Sequence, residues 1–198
     1  MYWLFFIYLA VGYVYPAVGL TALVCMLAPV FIAPFKGRHW CGNYCPRGSL
    51  YDNILAKFSP RKPIPVVFTT TGFRLLMVAV IMSVFGTQMY YAWGNLDEMG
   101  LVFLRIIFIT TVIGLILGLL YNHRTWCSFC PMGTMASWLS RKAKPLNVNS
   151  SCVNCKLCAK TCPFALTPYD AKGTKFIHSD CLKCGKCIEA CPKKSLSF

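Results

Sequence analysis

The chain has 198 residues, of which 57% are hydrophobic and 13% charged, and its mean hydropathy is +0.55. That is too apolar for an ordinary soluble domain and points to a membrane class. The formal net charge of +14 is not read as a nucleic-acid footprint, because much of it flanks apolar spans, as the positive-inside bias of membrane proteins requires.

Residues Met1 to Phe35 contain no charged side chain. One straight helix of that length is about 50 Å, longer than a bilayer core of about 30 Å, yet two full spans do not fit. The preferred division falls near Pro16, with a single long tilted helix as the alternative. Tyr2, Trp3, Phe5, Phe6, Tyr8, Tyr13 and Tyr15 form an aromatic leader suited to an interface or a partner subunit, and Pro16 to Phe35 forms a span. No basic n-region or small-residue cleavage site marks a secretory signal. Pro29 is expected to kink the span and Pro34 to end it. Cys25, among apolar neighbours, reads as an inert core thiol.

Two further apolar runs, about Phe73 to Trp93 and Leu101 to Tyr121, form a hairpin around an expected loop from Gly94 to Gly100. Arg74 lies at the edge of one run, and Arg105, near the start of the other, is expected to snorkel. Between Lys36 and Lys62 six basic residues face one acid, Asp52. Between Asn122 and Ser150 the four basic residues Arg124, Arg141, Lys142 and Lys144 face none, while the hairpin tip carries only Asp97 and Glu98. By the positive-inside rule the basic segments and the C-terminal tail face the cytoplasm, and the N-terminus and hairpin tip face outward, in the inner membrane of a prokaryote.

The two basic segments are related. His39-Trp40-Cys41-Gly42-Asn43-Tyr44-Cys45-Pro46-Arg47-Gly48-Ser49 aligns with Thr125-Trp126-Cys127-Ser128-Phe129-Cys130-Pro131-Met132-Gly133-Thr134, with one residue fewer between the second pair of cysteines. Each copy follows a span and precedes an amphipathic stretch, Leu50 to Phe58 and Met135 to Arg141, expected to lie along the membrane surface. Cys41, Cys45, Cys127 and Cys130 therefore collect at one face. They suit a third iron–sulfur centre, with disulfides, zinc, or a transient copper or iron site as competing readings.

The tail carries two copies of C-x2-C-x2-C-x3-C-P, from Cys152 to Pro163 and from Cys181 to Pro192. This is the ferredoxin spacing for [4Fe-4S] clusters, in which the fourth cysteine of each run ligates the other cluster. One cluster falls to Cys152, Cys155, Cys158 and Cys191, the second to Cys181, Cys184, Cys187 and Cys162. Three thiolates in a short loop cap three iron corners, so the fourth must come from elsewhere. Pro163 and Pro192 turn the chain away after it. A zinc ribbon or disulfide scaffold needs less than two complete three-plus-one motifs. With thirteen cysteines so spaced, the chain reads as a protein of a reducing compartment. Lys156, Lys160, Lys183 and Lys186 lie among the ligands, where they can stabilise reduced clusters or dock an acidic redox partner.

Histidine is scarce. None of His39, His123 and His178 lies in a span, so a transmembrane bis-histidine haem has no ligands. His39 and His123, just ahead of the Trp-Cys motifs, are the candidate cofactor-binding residues, placed to hydrogen-bond a cluster sulfur or relay a proton beside a quinone; the competing reading is a plain interfacial histidine. His178 reads as a surface residue. Trp40 and Trp126 serve either as packing or belt residues or as cluster shields.

Together these motifs resemble the membrane ferredoxin proteins of the NapH type, related to the membrane domain of NosR and to methylamine-utilisation ferredoxins. The likeness runs from about Pro16 to Phe198. It implies electron movement between the membrane quinone pool and a partner, or electron donation in metalloenzyme maturation. The chain departs from it in having three spans where four are usual and in its Cys-x2-Cys second pair.

The expected architecture is thus an α-helical membrane protein of about three transmembrane helices plus interfacial helices, residues 1–149, with a C-terminal α+β two-cluster [4Fe-4S] ferredoxin-like domain, residues 150–198. The expected function is a membrane-anchored iron–sulfur electron-transfer subunit working with lipid, with other redox subunits of a larger complex and with quinone. Alternatives are an electron donor or metal-handling factor in metalloenzyme maturation, and a redox sensor. No acid–base pair, nucleophile or nucleotide loop is present, so no catalytic residue is assigned.

Overall fold

The computed structural model describes residues 1–140 and 143–198, and it is mostly helical. Arg141 and Lys142, two of the bases counted for orientation, lie outside the described residues.

The leader is helical: α1 spans Trp3–Val14, and Pro16 then opens a 3-10 turn, Pro16–Thr21, that runs into α2, Ala22–Lys36. The chain thus divides at Pro16, where proline suits the first position of a helix and has no N–H to lose. Pro34, expected to end the first span, lies inside α2. The helix stops at Gly37 instead, whose backbone takes φ +63 and whose N–H still reaches the Ala33 carbonyl at 2.9 Å. Glycine enters that left-handed region without a Cβ penalty, which makes it the stronger terminator here.

Two short helices follow, α3 at His39–Asn43 and α4 at Pro46–Leu50. A π-helical turn at Tyr51–Leu55 and the single turn α5, Ala56–Phe58, complete this segment. The hairpin is built of α6, Thr71–Tyr91, and α7, Leu96–Leu120. The loop expected from Gly94 to Gly100 is shorter, because α7 begins five residues ahead of the expected Leu101. Asn95 caps it by accepting from the Asp97 N–H at 3.1 Å, and Asp97 and Glu98 sit in the first turn, where negative charge complements the helix dipole. Pro16–Lys36, α6 and α7 are each long and apolar enough to cross a membrane, with mean hydropathies of 2.2, 1.5 and 2.5. After α7 come α8, Thr125–Phe129, and α9, Pro131–Leu139.

The helical core gathers Phe5, Leu50, Tyr51, Leu55, Trp126 and Phe129. The stretch Leu50 to Phe58, expected along a membrane surface, turns Leu50, Tyr51 and Leu55 into this core. Gly114 and Gly118 of α7 make the room, since a Cβ on either would collide with Tyr51 or Leu55. The 3-10 turn crosses α7 backbone to backbone: a Cβ on Gly19 would meet the Gly100 carbonyl, and one on Gly100 the Pro16 carbonyl.

The tail holds a three-stranded antiparallel sheet, β1 Leu146–Val148, β2 Lys175–Phe176 and β3 Leu196–Ser197, in the order β2-β1-β3. Leu146 pairs with Phe176 and Val148 with Leu196. Leu146, Val148 and Leu196 bury one face with Cys158, and α10, Leu157–Thr161, and α11, Lys186–Glu189, carry the two cysteine motifs across it.

Gly100→Ala is expected to lower the thermal unfolding midpoint of the purified protein, whereas Gly86→Ala, which meets nothing within 4 Å inside α6, should leave it equal or raise it, an alanine being favoured over glycine by roughly 1 kcal/mol in a helix. Equal effects at the two sites would contradict the backbone crossing.

Candidate metal centres

The two tail motifs adopt the same backbone. Asn154 and Lys156 in the first loop, and Lys183 and Gly185 in the second, flank the middle cysteine with φ of 53, 61, 52 and 77. Ala165 and Lys194, each three residues past the remote cysteine, are also left-handed, at φ 52 and 47. Five of these six residues are not glycine. Each such residue costs roughly 1 kcal/mol, so the loops are curled by what they enclose and not by local preference. Backbone N–H groups turn toward the sulfurs: Ser195 donates to Cys191 Sγ at 3.4 Å, and Leu166 bonds Cys162 from the matching position.

Cys162, from the first motif, lines one small cavity with Cys181, Cys184 and Cys187 of the second. Cys152, Cys158 and Cys191 meet in the apolar cluster beneath the sheet, which Cys187 also touches, and Cys155 is exposed. Each remote cysteine thus lies beside cysteines of the other motif, Cys162 beside Cys181, Cys184 and Cys187, and Cys191 beside Cys152 and Cys158. All thirteen cysteines are free thiols. Burial, with neighbouring thiols adding to it, pushes Cys187 up to about 12, and burial also raises Cys158, Cys162 and Cys181. Thiols crowded in this way suit a cationic core that offsets several thiolate charges at once. Among the described residues no three His, Cys, Asp or Glu side chains converge tightly enough for a single metal ion; an iron cube holds its four thiolates further apart.

In the helical half the two repeats superimpose in their bonding. Cys45 and Cys130 cap α4 and α9, with Pro46 and Pro131 at the first helical position. Cys45 N–H donates to the Trp40 carbonyl at 3.0 Å and Cys130 N–H to that of Trp126 at 2.9 Å. The extra residue of the first copy is absorbed at Tyr44, whose N–H shares the Trp40 carbonyl at 3.0 Å.

One residue ahead of the aligned motifs stands an arginine in each copy, and the two cross. Arg38 Nη2 donates to the Cys127 carbonyl at 2.6 Å, and Arg124 Nη1 to the Cys41 carbonyl at 3.0 Å. Each guanidinium passes the glycine of the opposite repeat so closely that a Cβ on Gly133 would lie 2.6 Å from Arg38 Nη2, and one on Gly48 2.7 Å from Arg124 Nη1. That is the physical reason for glycine in Cys-Pro-x-Gly. Both arginines are 1% exposed. In the sequence they count only among the bases that set the orientation; their equal offset from Cys41 and Cys127 is the signal that marks them as a pair.

Each arginine ends on an acid. Arg38 pairs with Asp180 at 2.9 Å, and Asp180 also takes Arg74 at 2.9 Å and Ser137 at 3.0 Å. Arg124 pairs with Asp52 at 2.8 Å, which Lys186 reaches at 2.8 Å and His123 Nε2 faces at 3.4 Å. Burial alone would raise the Asp52 carboxyl, but hydrogen bonds from His123, Arg124 and Lys186 hold it well below the usual carboxylate range. Both acids tie the tail to the helical half. The second-cluster loop also docks directly: Asn43 Nδ2 donates to the Lys183 carbonyl at 3.2 Å, and Gly42 leaves no room for a Cβ against Leu182.

Cys41, Cys45, Cys127 and Cys130 line a common cavity of about 310 Å³. Burial pushes Cys41 up to about 12, with Arg38 opposing. Arg47 donates to Cys130 Sγ at 3.5 Å and Arg124 to Cys127 Sγ at 3.7 Å. Cys25, expected as an isolated core thiol, lines this cavity with Met26 and Met132 because α2 passes over it. Neither His39 nor His123 lines it. His39 packs half-exposed on Tyr44, and His123 is buried beside Asp52. Trp126 is a core residue under the Arg47 guanidinium, while Trp40 lines the cavity. His178 accepts the Asp180 N–H at 3.1 Å and stacks on Phe176.

A family model described as a 4Fe-4S binding domain matches residues 18–65 and again 102–147, and one described as a 4Fe-4S dicluster domain matches 151–196. Among curated proteins the chain is similar to uncharacterized protein MJ0750 of Methanocaldococcus jannaschii, 29% identical over 157 residues that cover 69% of this chain and 63% of that protein. It is also similar to uncharacterized protein MJ0749 of the same organism, 24% identical over 152 residues covering 74% and 60%. The chain thus spans under two thirds of the length of the relatives it matches. No solved structure matches it.

Asp180→Asn leaves Arg38 and Arg74 buried without a charge partner and should cost roughly 3–5 kcal/mol in the tail's resistance to denaturant or protease. Lys186→Met removes a pair whose lysine is 34% exposed and should cost less than about 1 kcal/mol. The ferredoxin spacing and the matched domains agree: the chain is an iron–sulfur protein of the ferredoxin type, and its cofactors are two [4Fe-4S] clusters.

Proposed function

We propose that this protein is a membrane-anchored electron-transfer subunit of a prokaryotic inner membrane, of the NapH type, and that Cys41, Cys45, Cys127 and Cys130 hold a third iron–sulfur centre. The observation that carries the reading is the crossed arginine pair. Arg38 and Arg124 bind the two cysteine repeats to each other around one cavity and, through Asp180 and Asp52, to the cluster-bearing tail. Iron–sulfur clusters supply one-electron chemistry; the residues of this chain hold, space and tune them. The match of a 4Fe-4S binding model to both repeats supports the third centre. Packing of Gly42 and Asn43 on Leu182 and Lys183 supports a short path from the repeats to the second tail motif.

The quinone partner is supported by a groove of about 780 Å³ between α6 and α7. It is lined by apolar side chains with Arg105 and ends on Trp126 and Phe129. Thr110, which also lines the groove, accepts from Arg47 at 2.8 Å, and Arg47 stacks on Trp126 and reaches Cys130. Three long apolar helices support the multi-pass anchor, and the basic residues around Lys36–Lys62 support a cytoplasmic tail. A larger redox complex completes the proposal.

A second reading, metal handling in metalloenzyme maturation, is favoured by Cys25, Met26 and Met132, which add soft donors beside the four cysteines. Iron and sulfide content with EPR of anaerobically purified protein separates the two. Three centres in the wild type, falling by one in Cys41→Ser or Cys127→Ser, support the electron-transfer reading. Two centres in every variant, with copper or zinc lost on Cys25→Ser, support metal handling. Arg47→Met should retain the third centre and make its midpoint potential more negative by on the order of 50 mV, since about 1 kcal/mol of stabilisation of the reduced state is lost with the charge.

A further inference from the structure

A second large cavity lies on the side of the molecule where the tail meets the segment after α5. We propose that this cleft, about 960 Å³, binds a phosphate-bearing anion through Arg61, Lys62, Lys160 and His123. The inference needs neither the third centre nor any electron partner.

Charge comes first. Among the described residues Arg61, Lys62 and Lys160 are exposed and in no ion pair, while the fourth cation of the cleft, Lys186, is held by Asp52. Glu189 is the other acid there, so three cations stand against one acid outside that pair, before any contribution from histidine. Like charges gathered around a cavity raise the local concentration of a counter-ion.

Two further features mark the cleft. Arg61 holds φ 51, a region natural to glycine, between Pro60 and Pro63, and the Lys62 N–H pins that conformation by donating to the Tyr121 carbonyl at 2.9 Å. A long charged side chain in a backbone position that disfavours it is a mark of a constrained site. His123 lines the same cleft at 6% exposure; Nε2 faces Asp52, and buried Nδ1 has no hydrogen-bond partner among the described residues. A hydroxyl group of the ligand, or a water bridging to it, can donate to that nitrogen while Nε2 faces Asp52.

A planar guanidinium and two ammonium groups match the several oxygens of a phosphate better than the two of a carboxylate. Tyr121 follows the last residue of α7, so the cleft opens beside the end of a long apolar helix, at head-group level if that helix crosses a bilayer. An anionic phospholipid and a soluble phosphate compound share the required chemistry. Cys162 and Pro163 also line the cleft, which sets an occupant's charge beside the second cluster.

The test uses the whole protein with its clusters, purified anaerobically. In one arm it is placed in phosphatidylcholine nanodiscs with and without phosphatidylglycerol, and co-purifying lipid is counted by native mass spectrometry. In the other, ADP and inorganic phosphate are titrated calorimetrically. The wild type is expected to retain phosphatidylglycerol or to bind ADP or phosphate, and the triple variant Arg61→Gly, Lys62→Ser, Lys160→Ser to do so at least tenfold more weakly with unchanged iron content. Retention of lipid alone assigns the head group, and binding of ADP or phosphate assigns a soluble source. If the triple variant loses iron, Arg61→Gly alone decides, because glycine suits that backbone. Equal binding by wild type and variant, or no binding of any of the three probes by the wild type, overturns the proposal.

Discussion

Two buried guanidinium groups exchanged between the cysteine repeats set the rest of this structure. Arg38 and Arg124 each leave one repeat, pass a glycine of the other and end on the carbonyl of its first cysteine. A buried cation without an opposite charge is strongly unfavourable, so each arginine requires its acid, and both acids serve the junction with the tail. Asp180 belongs to the tail itself, and Asp52 is reached from the tail by Lys186. The same bonds that hold the four cysteines around one cavity therefore also dock the ferredoxin domain against them.

The tail obeys a different constraint. Its core is small, with Leu146, Val148, Cys158 and Leu196 as its buried residues, and the repeated left-handed positions at non-glycine residues oppose the fold in the absence of iron. Cluster binding and folding are coupled in such a domain, because the thiolates and N–H groups are spaced by the group they hold. The helical half needs no such help where glycine faces backbone at the crossing of Gly19 and Gly100, or where Tyr51 and Leu55 enter beside Gly114 and Gly118.

The repeats are alike in backbone but not in the charge they present. The position after the proline is Arg47 in one and Met132 in the other, and both side chains line the shared cavity. Arg47 alone joins Cys130, Thr110 and the Trp126 ring, so the cavity has a polar side toward α7 and a soft, apolar side under α2. Such asymmetry gives otherwise equivalent cysteines different electrostatic surroundings, which is how a protein tunes a metal centre.

Local order along the chain was enough to determine the three long apolar helices, the break at Pro16, the two Cys-Pro repeats and the two four-cysteine ferredoxin motifs, because each depends on hydropathy, on proline or on spacing within a dozen residues. Helix ends were less legible: Gly37 outlasted Pro34, and the Asn95 cap began α7 early, since termini are decided by which hydrogen bonds the last turn can complete. What tertiary structure alone decided was the partnership of residues distant in sequence. Arg38 with Cys127, Arg124 with Asp52, Cys25 with the cysteines of the two Cys-Pro repeats and His123 with a basic cleft in place of the cysteines all follow from how the helices pack. A buried charge reveals its partner only once the chain around it has closed.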